Sequence, residues 1–239
     1  MPYESYLFTG EWLRRLNEKT LELNIGAELL YNYEQEYEDC YIRAVSSNSE
    51  RKVGYDFAIE SPQDGIIKFY QFKAPKDKDG REYIFKINSG THHDQHRTLM
   101  RMNGEKDLAF YAFPLIYNFN ELIQYNRQLV NRTAFVPVNN INFTNHNKEH
   151  KVYIHEEFLN IGDMEYIEVN SEITKAFLFK DFTKMIKSEK FGMKIRLFIN
   201  HMRKLDRSLN NNEKRRMNNW LKKGIFIVMK PLRTLIIKI

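Results

Sequence analysis

Two β-prone segments of the sequence carry a carboxylate, an amide and an amine at spacings that could bring them together. Asp56 lies in the run Gly54–Phe57, and Gln71 and Lys73 lie in the run Tyr70–Lys73. A turn that contains Pro, Asp and Gly separates the two segments, which predicts a hairpin. Because side chains alternate along a strand, Gln71 and Lys73 should share one polar face while their neighbours pack on the other.

The register of this hairpin decides which groups meet. A turn over residues 61–66 places Asp56 opposite Gln71, with their Cβ atoms about 5 Å apart. A shift of two residues places Asp56 next to Lys73, and a shift of one moves it to the other face. Mg²⁺ prefers carboxylate and carbonyl oxygens, and it would activate water and polarise a phosphodiester while Lys73 orients the nucleophile or offsets developing charge. The pattern therefore indicates phosphodiester cleavage with Mg²⁺ or Mn²⁺ as cofactor.

Helix and strand patterns alternate around the hairpin, which is typical of an α/β core. Residues Glu11–Glu38 are predicted to form one helix, or two that meet at Gly26. Thr91 begins a helix that runs to about Met102, and a further helix is expected at Asn120–Val130. The remaining β-prone segments are predicted strands: residues 40–45, 53–60, 66–74, 83–87, 108–113, 134–138, 152–155 and 166–169.

The pattern Asp56 followed by Gln71-Phe72-Lys73 resembles the PD-(D/E)XK nuclease superfamily, in the Mrr-like variant whose last motif reads Gln-X-Lys. The resemblance covers about residues 26–114. It implies an α/β, restriction-endonuclease-like fold, with a mixed central sheet flanked by helices, and an upstream Glu supplied by a helix. The site residues that it implies are Glu28, Asp56, Gln71 and Lys73 as catalytic groups and the first three as metal ligands, with Glu22 as the alternative helical ligand.

Two features depart from the usual pattern of that family. Tyr55 stands where the family has a proline before its Asp. Gln71 replaces an acid, which leaves one fewer negative charge to hold a metal and makes the helical Glu more important for metal affinity.

The resemblance implies a nuclease, with DNA favoured over RNA, acting in restriction or anti-phage defence. The alternative is a catalytically weak or inactive nuclease-fold module that binds nucleic acid, or another protein, within a larger defence assembly. A homodimer or a partner from a defence complex is also considered, because double-strand cutting normally requires two active sites.

The composition limits the class of protein. The chain has 239 residues, of which 42% are hydrophobic, so disordered and fibrous classes are excluded and one large or two small domains are expected. With a single cysteine, Cys40, and no signal-peptide pattern at the start, the expected compartment is the cytoplasm. Apolar runs are far shorter than the roughly 20 residues of a membrane span, so no membrane partner is expected.

Charge is distributed unevenly along the chain. Residues 172–239 contain 18 Lys and Arg against 5 Asp and Glu, so this segment carries +13 and residues 1–171 carry −7. Clustered cations favour a polyanionic partner, whereas the alternatives are a solvated helical surface or docking on an acidic protein. The predicted division is a nuclease-like core over residues 1–170 and a basic, mainly helical segment over residues 171–239.

Nucleic-acid contacts are expected in two places. Gln95 or His96, at the start of the predicted helix, would face the cleft beside Lys73, unless this helix start is simply solvated. The densest basic cluster is Lys214, Arg215, Arg216, Lys222 and Lys223. A zinc site in the run His92–His96 is disfavoured, because adjacent helical residues point apart and no cysteine is near.

Overall fold

The computed structural model describes residues 15–45, 54–61, 66–88, 95–103, 108–141, 149–159, 166–169, 172–178 and 193–194. These residues belong to one compact unit that spans Met1–Lys194. The predicted domain boundary at residues 170 and 171 and the basic cluster at residues 214–223 lie outside the described residues.

Three α-helices and eleven strands make up this part of the chain. The helices are α1 (Glu18–Glu34), α2 (Gln95–Asn103) and α3 (Phe119–Gln124), and short 3-10 helices lie at Val130–Arg132, Val138–Asn140 and Glu156–Leu159. The strands are β1 (Tyr41–Ala44), β2 (Phe57–Ser61), β3 (Ile66–Phe72), β4 (Asp77–Asp79), β5 (Glu82–Asn88), β6 (Ala109–Pro114), β7 (Thr133–Pro137), β8 (Glu149–His155), β9 (Tyr166–Val169), β10 (Glu172–Lys175) and β11 (Met193–Lys194).

The first sheet is mixed and has the strand order β1-β2-β3-β6-β7, with β11 pairing with the beginning of β3. All its neighbouring strands are antiparallel except β3 and β6, which run parallel and are connected through α2. The predicted hairpin is confirmed: Ser61 lies opposite Ile66 and Phe57 opposite Tyr70, so the next residues outward, Asp56 and Gln71, face each other. The α/β class and a mixed sheet with helices are therefore observed.

A second sheet was not expected as a separate unit. Its five strands have the order β10-β9-β8-β5-β4, and all its neighbouring pairs are antiparallel. Strands β4 and β5 are inserted between β3 and α2, and seven register pairs join β5 to β8. The sheets meet through apolar side chains, for example Phe85 of β5 and Phe113 of β6, whose ring centroids lie 5.1 Å apart.

Helix α1 covers one face of the first sheet. It begins after Asn17, whose side chain accepts a hydrogen bond from the Thr20 amide (2.7 Å), as expected of an N-cap. Its buried stripe packs on a core that consists of Phe57, Ile59, Tyr70, Phe72, Phe110, Ala112 and Phe135, among others.

Gly26 is not a joint between two helices, because α1 continues through it to Glu34. A Cβ at this position would lie 3.1 Å from the ring of Phe57, so the glycine allows α1 to approach β2 closely.

Two other expectations were wrong. The helix predicted at Asn120–Val130 ends at Gln124, and Arg127 adopts a positive φ of 68°, which a continuing helix does not allow. The helical pattern predicted from Ser171 onward begins instead with β10, and Phe177 then exchanges backbone hydrogen bonds of 2.9 Å with Phe135. Within the described ranges, none of the helices has the length and hydropathy that a membrane span requires.

Candidate active site

Asp56 and Gln71 form the centre of a buried polar cluster at the end of the hairpin. Nε2 of Gln71 donates to both carboxylate oxygens of Asp56, at 3.1 and 3.0 Å, and the backbone amide of Phe72 donates to Oδ2 at 2.6 Å. The exposed fractions of Asp56 and Gln71 are 3% and 0%. Three donor contacts therefore compensate the burial of the carboxylate.

Gly54 positions Asp56 beneath helix α2. Its φ of +84° lies in the left-handed region that favours glycine, and a Cβ there would lie only 2.9 Å from the carbonyl oxygen of Gln95. The chain can therefore turn into β2 directly under α2, where the Asp56 amide donates to the Tyr70 carbonyl at 2.9 Å.

The oxygen atoms around Nε2 of Gln71 are carboxylate and carbonyl oxygens, which hard cations prefer as ligands. Besides the two Asp56 oxygens, the carbonyl oxygen of Phe72 lies 3.1 Å from the same nitrogen. Rotation of the Gln71 amide would exchange Nε2 for Oε1 and leave a carboxylate, an amide oxygen and a main-chain carbonyl on one side. Such a donor set fits Mg²⁺ or Mn²⁺.

Lys73 directly follows β3, two residues after Gln71, and pairs with a carboxylate of α1. Its Nζ is 3.4 Å from Oε1 of Glu18, and the backbone amide of Ala74 donates to Oε2 at 3.2 Å. The Lys73 amide donates to the Ala112 carbonyl at 3.0 Å, which holds this residue beside the end of β6. The carboxylate of α1 that pairs with Lys73 is thus Glu18.

Glu28, the predicted helical ligand, lies elsewhere. It is ten residues further along α1, a distance of about 15 Å at 1.5 Å per residue. One of its oxygens accepts from the Val130 amide at 3.1 Å, while the other is buried with no hydrogen-bond partner among the described residues. Burial raises the pKa of Glu28, although backbone hydrogen bonds near Val130 oppose the effect. Its position indicates a structural role at the 3-10 helix after α3.

The alternative ligand, Glu22, is one helical turn from Glu18 on the buried stripe. Its exposed fraction is 5%, and Oε1 lies 2.5 Å from Nζ of Lys19. Glu18 was not among the predicted site residues. The helix was predicted to begin at Glu11, which placed Glu18 in the interior of the helix and not at its start. The sequence Asn17-Glu18, an N-cap followed by an acid, carried the signal of the true helix start.

Gln95 and His96, adjacent on α2, have different surroundings. Nε2 of Gln95 donates to Oε1 of Gln71 at 2.6 Å, so this residue fixes the orientation of the Gln71 amide. His96 is buried, with Nδ1 3.2 Å from the hydroxyl of Tyr111, the β6 neighbour of Gln71. Burial, together with the negative charge of Asp56, raises the pKa of Tyr111 above its ordinary value.

A cavity of about 650 Å³ lies beside this cluster. Its lining residues come from the start of α1, the end of β3, the second sheet and α2: Arg15, Glu18, Lys73, Lys76, Asp77, Lys86 and Gln95. Four of these seven side chains are cationic and two are carboxylates, so an anionic group is favoured there. Asp56 and Gln71 lie behind Gln95 rather than in the lining.

Searches of protein-family models, of curated proteins and of solved structures found no match to this chain.

His92, His93 and Asp94, from the run in which a zinc site was disfavoured, and the basic cluster Lys214, Arg215, Arg216, Lys222 and Lys223 lie outside the described residues. Within the described ranges, no three His, Cys, Asp or Glu side chains lie close enough to hold a metal ion. A metal at the cluster would therefore depend on amide and main-chain oxygens as well as on carboxylates.

Proposed function

We propose that the protein is a metal-dependent nuclease of the PD-(D/E)XK type that hydrolyses nucleic-acid phosphodiesters, with DNA favoured. The observation that carries the proposal is that Gln95, which is hydrogen-bonded to the Asp56–Gln71 pair, lines the same cavity as the ion pair of Lys73 and Glu18. This cavity has more cations than carboxylates in its lining. A setting in cytoplasmic restriction or anti-phage defence follows from the resemblance alone.

The order of elements supports the restriction-endonuclease-like assignment. Strand β2 follows the candidate Asp and pairs antiparallel with β3, which carries Gln71; α2 then leads to β6, which is parallel to β3. The resemblance implies this succession of strand, strand, helix and strand. The second sheet is an addition to that core.

Asp56, Gln71 through Oε1, and the Phe72 carbonyl would hold the metal, with Glu18 as the nearby helical carboxylate. When bound, Mg²⁺ lowers the pKa of a coordinated water and withdraws electrons from the scissile phosphate. Lys73 would donate to a phosphate oxygen and offset the charge that develops there. Glu18 holds the ammonium group of Lys73 toward the cavity before substrate arrives.

Access of a cation to the buried carboxylate of Asp56 would depend on the side-chain amides of Gln71 and Gln95. Gln71 is fully buried, and Gln95 donates to it from the cavity wall. For Asp56 to take a cation, the side-chain amides of Gln95 and Gln71 would rotate together, and Gln95 would then accept from Nε2 of Gln71 through its own oxygen. Gln95 is therefore a positioning residue for the metal ligand.

The test is cleavage of labelled duplex DNA, single-stranded DNA and RNA in Mg²⁺, Mn²⁺ or EDTA. We expect metal-dependent products with 5′-phosphate ends, and a loss of about 100-fold or more in Lys73→Met, as expected for removal of a group that stabilises the transition state. The control is Arg127→Gln, an exposed cation on the turn after α3. Equal rates in wild type and Lys73→Met would overturn the proposal.

A catalytically inactive nucleic-acid-binding module is the second candidate. The burial of Asp56 and its existing hydrogen bonds with Gln71 and Phe72 favour it, because a site without turnover has no need for an accessible carboxylate. Nucleic-acid binding with a steep salt dependence, unchanged in Asp56→Ala and accompanied by no cleavage, would support this candidate. A homodimer or a defence-complex partner is a further proposal that an oligomeric-state measurement would test.

A further inference from the structure

Two cations of the cavity lining come from separate segments of the chain and are joined by a hydrogen bond. Arg15 lies before α1, and Lys76 lies between β3 and β4. Nη1 of Arg15 donates to the main-chain carbonyl oxygen of Lys76 at 3.2 Å, and both residues line the cavity. Both are exposed, so an anion that enters the cavity from solvent can reach them.

Backbone contacts hold each of these two residues in place. Arg15 forms an isolated β-bridge with Asn118, at the start of α3. The Lys76 amide donates to the carbonyl of Ile84 on β5 at 2.7 Å. The main chain at both cations is therefore fixed before a ligand binds, which reduces the ordering that binding has to impose.

Arg15 and Lys76 differ from Lys73 in their relation to the carboxylates of the cavity. Lys73 forms an ion pair with Glu18. In the part of the chain that the structure describes, Arg15 and Lys76 form no ion pair with Glu18, with Asp77 or with any other carboxylate. The guanidinium group of Arg15 also has further N–H donors besides the one that binds the Lys76 carbonyl. These two side chains therefore supply positive charge and hydrogen-bond donors for an anionic ligand.

The contacts of α1 relate this pair of cations to Lys73. Arg15 contacts Lys76, and Glu18, three residues after Arg15, contacts Lys73, three residues before Lys76. Three residues of extended chain span at most about 10 Å. Each strand of duplex DNA carries one phosphate per roughly 3.4 Å of helix axis. Neighbouring phosphates of one strand can therefore reach Lys73 and the pair of Arg15 and Lys76 together.

We propose that Arg15 and Lys76 form a second phosphate subsite, which binds the phosphodiester next to the one held at Lys73. The ligand is an internal phosphodiester of a nucleic-acid strand, and Arg and Lys bind such groups through charge-assisted hydrogen bonds. Because the neighbouring phosphate takes no part in bond cleavage, the subsite contributes to substrate binding. The inference rests on the proposed function for the identity of the group at Lys73, and it adds where the strand is held beside that group.

The experiment measures binding in EDTA, where metal-dependent cleavage is blocked. Fluorescence anisotropy gives the Kd of wild type, Arg15→Gln, Lys76→Gln and the double variant. The probes are a 20-nucleotide DNA strand, the RNA of the same sequence and the DNA duplex, each with a 5′-hydroxyl or a 5′-phosphate end. We expect each substitution to weaken binding of every probe that wild type binds about 3- to 10-fold, whichever 5′ end it carries. The slope of log K against log salt should fall by roughly 0.7 to 0.9 per cation removed.

Three controls keep the result specific. Lys76→Arg keeps the charge and should keep the salt slope of wild type, which a loss of side-chain shape alone would not predict. Arg127→Gln removes an exposed cation outside the cavity lining and should leave both the Kd and the salt slope unchanged. Because Lys76 is exposed, Lys76→Gln should leave the melting temperature near that of wild type, which separates lost contacts from lost folding.

The outcomes separate this inference from the proposed function. Weaker binding and a lower salt slope in the double variant support the subsite even where wild type does not cleave in Mg²⁺. A wild-type Kd and salt slope in the double variant overturn the subsite, even where wild type cleaves. The subsite is also overturned if wild type binds none of the probes at low salt, or if affinity falls only for the probes with a 5′-phosphate.

Discussion

Nε2 of Gln71 bridges the two carboxylate oxygens of Asp56 at 3.1 and 3.0 Å. A neutral donor thus lies where a third oxygen would be needed to complete a cation site with Asp56 and the Phe72 carbonyl. Oε1 of Gln71, at the other end of the amide, accepts from Nε2 of Gln95 at 2.6 Å.

Replacement of Gln71 by Glu should make the stability of the folded protein depend on Mg²⁺. The variant places two buried carboxylates together, which we expect to destabilise the protein in EDTA by roughly 2 kcal/mol or more. Millimolar Mg²⁺ should restore much of this loss, because it neutralises the pair. Thermal unfolding with and without Mg²⁺ measures both effects. Gln71→Met is the control, and a Mg²⁺ response of Gln71→Glu no larger than that of wild type would contradict the predicted metal site.

Gly54 should be far less tolerant of alanine than Gly80, although both have a positive φ. At Gly54 a methyl group would lie 2.9 Å from the Gln95 carbonyl, whereas at Gly80 nothing lies within 4 Å. We expect Gly54→Ala to cost about 2–4 kcal/mol, and Gly80→Ala only the backbone strain of roughly 1 kcal/mol. Chemical denaturation provides both values. Equal costs would show that α2 does not pack on Gly54 in the way described.

The two candidate glutamates of α1 should behave differently. Glu18 contacts Lys73, whereas Glu28 contacts Val130. We expect Glu18→Gln to reduce nuclease activity about 10-fold or more with little change in stability. Glu28→Gln should keep wild-type activity and change stability by roughly 1 kcal/mol. Activity lost in Glu28→Gln but kept in Glu18→Gln would contradict the assignment made from the structure.

Lys68 should make stability depend on pH. Burial lowers its pKa to about 7 from an ordinary value of 10.5, and its ammonium nitrogen lies 5.9 Å from the centre of the Tyr33 ring. Between pH 7 and 10.5 the unfolded chain binds more protons at this lysine than the folded protein, so this group makes the free energy of unfolding rise with pH. The destabilisation is largest below pH 7 and disappears above pH 10.5.

Replacement of Lys68 by Met should remove this dependence. We expect Lys68→Met to be more stable than wild type by more than about 1 kcal/mol at pH 7, and the difference to shrink toward pH 10. Urea denaturation at pH 6, 7, 8.5 and 10 measures it. A difference in unfolding free energy between Lys68→Met and wild type that does not change with pH would contradict a lowered pKa at Lys68.

The sequence predicted those elements for which the alternation of polar and apolar residues and the turn residues indicate the same structure. The hairpin itself followed from its turn residues, and a turn over residues 61–66 was one of the registers that the sequence allowed. The structure has this register, with Ser61 opposite Ile66 and Phe57 opposite Tyr70. The start of α1 was missed because apolar and charged residues continue on both sides of Asn17. The second sheet was missed because β5 pairs with β8 across a long separation in the chain, which local periodicity does not reveal.

The candidate site was predicted in part for the same reason. Gln71 and Lys73 are two residues apart on one strand, so their common face follows from strand geometry. Glu18 reaches Lys73 across 55 residues of chain, and the choice between acids on α1 depends on where the helix begins and how it is rotated on the sheet. The placement of Lys86 opposite Lys151 likewise depends on the pairing of β5 with β8 and could not be found without it.

The most direct test of the central claim is the single-turnover rate of DNA cleavage in Mg²⁺ by wild type, Asp56→Asn, Lys73→Met and the double variant. Groups that act together in one site have non-additive effects. We predict that each single substitution lowers the rate about 100-fold or more and that the double variant is little slower than either. Wild-type rates in both single variants would contradict the claim that Asp56 and Lys73 form one hydrolytic site.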